Sequence, residues 1–290
     1  MTTARKISAG LMLVALVLGT LSAVPRVHPA VTLAGYRVLV ADFHVHGFPL
    51  SWATLAPWDL ALEARHQGLD VIAITGHNHV WVAKVGRWFA NRIGGPTVLV
   101  GEEIAAPKYH VLAIGIQHEI AWNLGAADAI DEVHRQGGVA IAAHPREKFW
   151  PAYDAAALSR LDGTEVLHPL VYATPNGYSE IQSFYRHARV TAIGDSDFHG
   201  IGPMGLCRTY VFARDNSAAA VLEAVRAGHT VVMDREGQAY GDPELVNLAR
   251  QNSDFQTLNA SYAWANPGWM ARLSSVCGIV GLLVLFLFGM

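Results

Sequence analysis

From residue 36 onward, short runs of β-branched and other apolar residues alternate with stretches whose apolar positions recur at helical spacing. The runs predict strands at about 37–43, 70–75, 97–103, 109–115, 139–143, 163–167 and 190–195. Most are apolar on both faces, as parallel strands covered by helices should be. Helices fit between them: one over 57–67, opened by Pro57 and stopped at Gly68, one over 126–136, stopped at Gly137-Gly138, and one over about 179–188. Residues 207–212, 217–227 and 229–233 read as a strand, a helix and a strand. This alternation predicts an α/β barrel of irregular form, whose functional residues belong at the C-terminal strand ends. Residues 234–272, frequent in Asp, Gly, Pro, Asn and Gln, read as a less ordered connector.

The two ends follow a different pattern. Residues 7–24 carry no charge and follow Arg5 and Lys6, the layout of a signal peptide or a signal anchor. Cleavage after Leu21-Ser22-Ala23 is conceivable, but Leu21 sits where a smaller residue is preferred and the run is long for a cleaved signal, so an uncleaved anchor is expected. Residues 273–290 are also uncharged and long enough to cross a bilayer. A buried terminal helix is the alternative, yet the run from Leu282 to Phe288 has no polar face. The basic residues before the first run favour a cytoplasmic N-terminus, so the chain would enter and return with its barrel outside the cytoplasm. The expected division is 1–35 anchor and linker, 36–233 barrel, 234–272 juxtamembrane segment and 273–290 transmembrane helix.

A length of 290 residues suits one large domain. The balance of 21 Lys and Arg against 24 Asp and Glu gives a net charge of −3, and no basic run would track a phosphate backbone, so nucleic acid is not the expected partner. Cys207 and Cys277 fall in the barrel and the last apolar run, too far apart to bridge, and neither has the paired spacing of a zinc site.

The chemistry lies in the histidines. His44 and His46 end one strand and share its face with Asp42; Asp197 and His199 end another. His77, Glu103 and His144 also fall at or just after strand ends, whereas His110 begins its strand and reaches the same place only if a short hairpin follows Glu103. A lone His is more often an ordinary core or surface residue. Six or seven in register with strand ends point to bound metal, and imidazole mixed with carboxylate suits Zn, Mn or Fe. Glu165 ends a strand and reads either as a neighbour of the site or as an ordinary strand residue; His168, followed by Pro169, reads as lining the mouth or, in preference, as capping a turn, and His79 as a substitute ligand. Trp52, Trp58, Trp81 and Trp88 read as helix-packing or membrane-interface residues.

In order and spacing these pieces resemble the polymerase and histidinol phosphatase (PHP) family of metal-dependent phosphoesterases. The resemblance covers roughly 38–233. It runs through Asp42-Phe-His44-Val-His46, Gly68-Leu-Asp-Val-Ile-Ala-Ile-Thr-Gly-His77-Asn78, Gly101-Glu-Glu103-Ile, His110-Val-Leu, Ala143-His144-Pro145, Asp162-Gly-Thr-Glu165-Val and Gly194-Asp-Ser-Asp197-Phe-His199. It implies a distorted (β/α)7 barrel with two or three divalent ions. His44, His46, Glu103 and Asp197 would surround one ion, Glu103 bridging to a second held by His110 and His144. His77 and His199 would belong to a third site or to the substrate, as candidate acids for the leaving group. Arg146 and Lys148 follow His144-Pro145, where a cation would meet substrate phosphate.

Two departures touch the third site. The family usually places an acid or His in the loop after His-x-His, and 47–56 contains neither; it usually has Asp before the next His, where this chain has Gly76. The expected function is hydrolysis of a small phosphate ester by metal-activated water, by a membrane-tethered enzyme. The alternative is a catalytically weakened metal-binding or sensory module on the same barrel. Hydrolysis of a carbon–nitrogen bond has no distinguishing residue in the chain.

Overall fold

The structure is a computed structural model that describes residues 3–22, 24–174, 176–260 and 268–288. Ala23 at the conceivable cleavage point, 261–267 of the expected connector and 289–290 of the last apolar run lie outside the described residues.

After helix α1 (Thr3–Ser22) come strands β1 (Val31–Leu33) and β2 (Tyr36–Val45), helix α2 (Pro57–Gln67), β3 (Val71–Ile74), α3 (Trp81–Ile93), β4 (Thr97–Ala106) and β5 (Tyr109–Ile114). Then follow α4 (Ala126–Arg135), β6 (Val139–Ala142), α5 (Ala155–Leu158), β7 (Gly163–Leu167), α6 (Leu170–Ala173), α7 (Gly177–Ala188) and β8 (Thr191–Gly194). The chain closes with β9 (Thr209–Ala213), α8 (Ala218–Arg226), β10 (Thr230–Met233), β11 (Ala239–Gly241), α9 (Pro243–Gln251), α10 (Ser253–Ala260) and α11 (Trp269–Phe288).

The sheet runs β11-β10-β9-β2-β3-β4-β5-β6-β7-β8, with β1 beside β2. The ladders β2/β3, β3/β4, β6/β7 and β7/β8 are parallel, while β5 and β9 oppose both of their neighbours. The strands β2, β3, β4, β6, β7, β8 and β10 therefore point one way. The circle nearly closes between β8 and the last strands: Thr230 Oγ1 donates to Ala192 O at 2.8 Å and Gly194 N–H to Thr209 Oγ1 at 2.9 Å. This is the expected α/β barrel of distorted (β/α)7 form, flanked by apolar terminal helices. Strands β2, β3, β6 and β7 are buried almost throughout, because helices cover their outer face and side chains fill the inner one.

Helix α2 starts at Pro57, whose missing N–H costs nothing in a first turn, and ends on Gly68 in the left-handed region at φ 72°. The amphipathic α3, with no capping side chain to announce it, went unread in the sequence.

The segment after β10 is more ordered than its composition suggests. Its turn-forming residues act as caps: the Asp242 carboxylate accepts from the N–H of Glu244 and Leu245 to start α9, and Asn252 Oδ1 accepts from Phe255 N–H at 2.8 Å to start α10. Phe255 is fully buried against Tyr210, and Asn259 Oδ1 accepts the Tyr210 hydroxyl at 2.7 Å. Helices α1 and α11 are each 20 residues long and apolar enough to cross a membrane.

Candidate metal centre

Every parallel strand from β2 to β8 delivers a polar residue to the same end of the barrel. His44 lies on β2 and His46 just past it, both fully buried. The Thr75-Gly76-His77 turn after β3 bridges to Glu103, which lies within β4. His110 arrives as the sequence reading required: β4 and β5 form a hairpin in which Ala105 faces His110 and Glu103 faces Leu112, so Glu103 and His110 share a face. His144 follows β6, Glu165 and His168 end β7, and Asp197 and His199 follow β8. His144 and Asp197 hold left-handed backbones at φ 29° and 47°, a conformation L-residues adopt at a cost and one that clusters at functional sites.

Glu103 is the centre of the geometry. Its Oε2 lies 3.3 Å from His44 Nε2, 3.5 Å from His46 Nε2 and 3.0 Å from His77 Nε2. Its Oε1 lies 2.6 Å from His110 Nδ1 and 3.1 Å from His144 Nε2. Asp197 Oδ1 completes the Oε2 side, 3.3 Å from His44 Nε2 and 3.0 Å from His46 Nε2. The donor atoms of His44, His46, Glu103 and Asp197 fall within 4.8 Å of one another, as do those of Glu103, His110 and His144, and those of His46, His77 and His199.

Burial opposes charge throughout this cluster, and the close pairs override it selectively. The Glu103 carboxyl is buried yet held well below the usual range by His44, His110 and His144; that of Asp197 is lowered likewise by His44, His168 and His46. His44 is raised well above its ordinary value, since Asp197, Glu103 and Glu165 outweigh its burial. His46 goes the other way, pushed down to about 3 by burial. The buried Nε2 atoms of His44 and His46 have no hydrogen-bond partner. Orphaned imidazole nitrogens aimed at two ionised carboxylates are the donor set of a divalent cation, so the residues fit the metal that the resemblance implies.

Around this set, Glu165 Oε1 accepts from His44 Nδ1 at 2.7 Å and turns His44 Nε2 inward. Glu165 Oε2 accepts the His144 backbone N–H. His168 is buried, accepts Leu170 N–H on Nδ1 at 3.1 Å, and so aims a protonated Nε2 at Asp197 Oδ2, 3.5 Å away. Of the two sequence readings of His168, the structure supports the mouth-lining one rather than the preferred turn cap; its place after β7 matches that of His144 after β6. Asp42 bonds the backbone of His44, Ser196 and Gly205, and Asp195 that of Phe43, tying the end of β8 to β2.

The remaining expected residues divide. His77 and His199 stand partly exposed on the open side, and the His199 ring stacks on His46 at 4.0 Å. His199 Nδ1 donates to Asp197 O at 2.8 Å. Arg146 forks onto Glu180 of α7, so its guanidinium is engaged away from the cluster. Lys148 lies over the Phe149 ring, which stacks on His110. His79 joins none of the donor groups; its ring packs where a Cβ on residue 76 would come within 2.3 Å of Cε1. An Asp at Gly76 and His79 in its present place exclude each other.

No protein-family model matches the chain. In sequence it is 29% identical over 143 residues to an uncharacterized protein of Methanocaldococcus jannaschii, an alignment spanning 44% of this chain and 81% of the archaeal one. In structure it is similar to a two-domain protein of Bacteroides vulgatus containing a predicted PHP-like metal-dependent phosphoesterase, with a TM-score of 0.62 and 22% identity over 80% of this chain and 73% of that one. A slighter likeness, to the lesion-specific endonuclease EndoQ of Pyrococcus furiosus, has a TM-score of 0.44 and 12% identity over 83% of this chain and 71% of the other, too little to bear on substrate. The likeness to the Bacteroides protein establishes a shared barrel fold.

Proposed function

We propose that the barrel is a metal-dependent phosphoesterase of the PHP kind, tethered to a membrane by α1 and α11. The observation that carries this reading is Glu103, whose two carboxylate oxygens face two separate donor sets. His44, His46 and Asp197 would hold one divalent ion on the Oε2 side, and His110 and His144 a second on the Oε1 side, with Zn, Mn or Fe all suited to such ligands. Two ions so held would supply water activated near neutral pH and charge stabilisation for a phosphoryl group.

The chain's own residues do the rest. Glu165 fixes the His44 tautomer and His168 steadies Asp197. His199, its Nδ1 committed to the Asp197 carbonyl, keeps Nε2 free to pass a proton to the leaving alkoxide, and His77 is the other candidate acid. Lys148 is the cation available to substrate phosphate; Arg146, engaged with Glu180, braces the turn that carries it. The organisation we favour keeps 36–233 as the catalytic unit, outside the cytoplasm, with both termini inside. A second reading, a metal-binding module without turnover, is favoured by one feature: the His46, His77 and His199 group contains no carboxylate.

Full-length protein loaded with Mn, Zn or Fe and assayed on phosphate mono- and diesters separates the two. The enzyme predicts turnover of at least one ester, abolished by Glu103→Ala. Bound metal with no turnover of any ester leaves the module. A reporter fused after Met290 is expected to be active only in the cytoplasm; activity only outside would overturn the two-span topology.

A further inference from the structure

The terminal helices meet the barrel along α2, and the direction of that contact fixes which way the mouth looks. Helix α2 begins at the mouth, after His46, and runs back toward the start of β3. At its far end the Arg65 carbonyl accepts Arg26 N–H at 2.9 Å and His66 Nδ1 meets Val24 O at 3.1 Å. Midway, Gly19 of α1 approaches Asp59 and Leu62. At the mouth end Ser275 of α11 donates to Asp59 Oδ2 at 2.6 Å and accepts from Ala56 N–H at 3.2 Å, while Gly278 backs onto Trp58. Further along, the two helices pack on each other, with Ser8 Oγ donating to Gly281 O at 2.8 Å. Residues 3–11 and 279–288 therefore continue past the barrel on the side of the metal-ligand cluster.

Roughly 15 Å of each helix projects past the mouth at 1.5 Å per residue. A bilayer core is about 30 Å thick. The projecting parts reach only about half that distance, so helices held against the barrel flank in this way cannot enter the core fully without drawing the mouth rim at least to the lipid surface. That rim is apolar where a soluble protein would be polar: Trp52 is 92% exposed, Ile201 78% and Leu50 57%. The two loops that carry them are joined by Thr54 N–H donating to His199 O at 3.0 Å, and Ser51 Oγ accepts His77 N–H at 2.9 Å, so the rim is continuous with the cluster.

We propose that the barrel mouth is turned onto the bilayer, with Leu50, Trp52 and Ile201 seated at the headgroup level, and that its substrate is a phosphate ester carried by a membrane lipid. Trp at this depth is an interfacial anchor. The substrate class rests on the hydrolase reading above, and the orientation on its membrane tether alone.

The test uses the full-length chain with Cys207→Ser and Cys277→Ser, loaded with Mn and reconstituted in phosphatidylcholine vesicles containing phosphatidic acid. Nitroxides on Trp52→Cys and Ile201→Cys are expected to be shielded from water and accessible to lipid-dissolved oxygen, and one on Asn216→Cys, at the opposite end of the barrel, to be open to water. Water-exposed labels at 52 and 201 would overturn the orientation. Turnover is then compared on vesicle phosphatidic acid and on p-nitrophenyl phosphate in water. The proposal expects Trp52→Asp with Ile201→Asp to lower the ratio of lipid to soluble turnover about tenfold or more. Hydrolysis of the soluble ester alone by the unsubstituted chain would overturn the lipid substrate. Shielded labels with no ester of either kind hydrolysed would uphold the orientation and overturn the hydrolase reading.

Discussion

The barrel mouth and the seam between the terminal helices both bury polar side chains, and they treat them in opposite ways. In the seam Ser8, Ser274, Ser275 and Asp59 are all hydrogen-bonded: Ser274 Oγ to Ala15 O at 2.9 Å, and both later serines to the Asp59 carboxylate. Small residues, Gly19, Gly278 and Gly281, let the backbones come close enough for this. At the mouth, His44 Nε2 and both ring nitrogens of His46 are buried without a hydrogen-bond partner. A structural contact satisfies its own polar groups, because each one left over costs about 1–3 kcal/mol. A site that leaves several unsatisfied is built around something it has yet to bind.

Breaking the mouth should have the larger effect. Glu103→Ala removes the carboxylate common to both donor sets, and metal content is expected to fall from two ions to none, with at least about a hundredfold loss of any ester hydrolysis. Retention of both ions would mean that Glu103 does not bridge.

The seam carries its own pH signature. Burial raises the Asp59 carboxyl from its ordinary 3.8 to about 6, against the pull of Ser275 and Ser274. The folded chain then binds the proton more tightly than the unfolded one, so stability falls as pH rises from 3.8 toward 6 and levels off above it. The loss is about 3 kcal/mol at most. Asp59→Asn should flatten that part of the melting curve measured against pH. An unchanged slope would place the titration elsewhere.

A subtler change sharpens the contrast. Glu165→Gln keeps the shape beside His44 and removes the charge that fixes its tautomer, so metal affinity is expected to weaken roughly tenfold by calorimetry. The same titration should release protons at neutral pH. His44 is raised well above its ordinary value by Asp197, Glu103 and Glu165 despite its burial, and a proton held there must leave before a cation binds. Affinity therefore rises with pH.

Much of the mouth was legible because a strand's C-terminal end is a readable position: His44, His46, His77, Glu103, His144 and Asp197 could be gathered without coordinates. His110 was legible through the short hairpin that turns it back onto Glu103. Glu165 and His168 were harder, since their tasks are hydrogen bonds to residues far along the chain. Their place at the end of β7 was the available signal. Arg146 could not be read, because only the fold brings Glu180 to it. The helices at 243–260 were hidden by caps that look like turns, and the seam because Ser and Gly in an apolar helix gain meaning only from the helix they face.

The most direct measurement is anomalous scattering from crystals of the full-length chain grown with Mn or Zn. The account predicts two peaks flanking Glu103, one among His44, His46 and Asp197 and one between His110 and His144. A single peak on one side of Glu103, or none at the mouth, would contradict it.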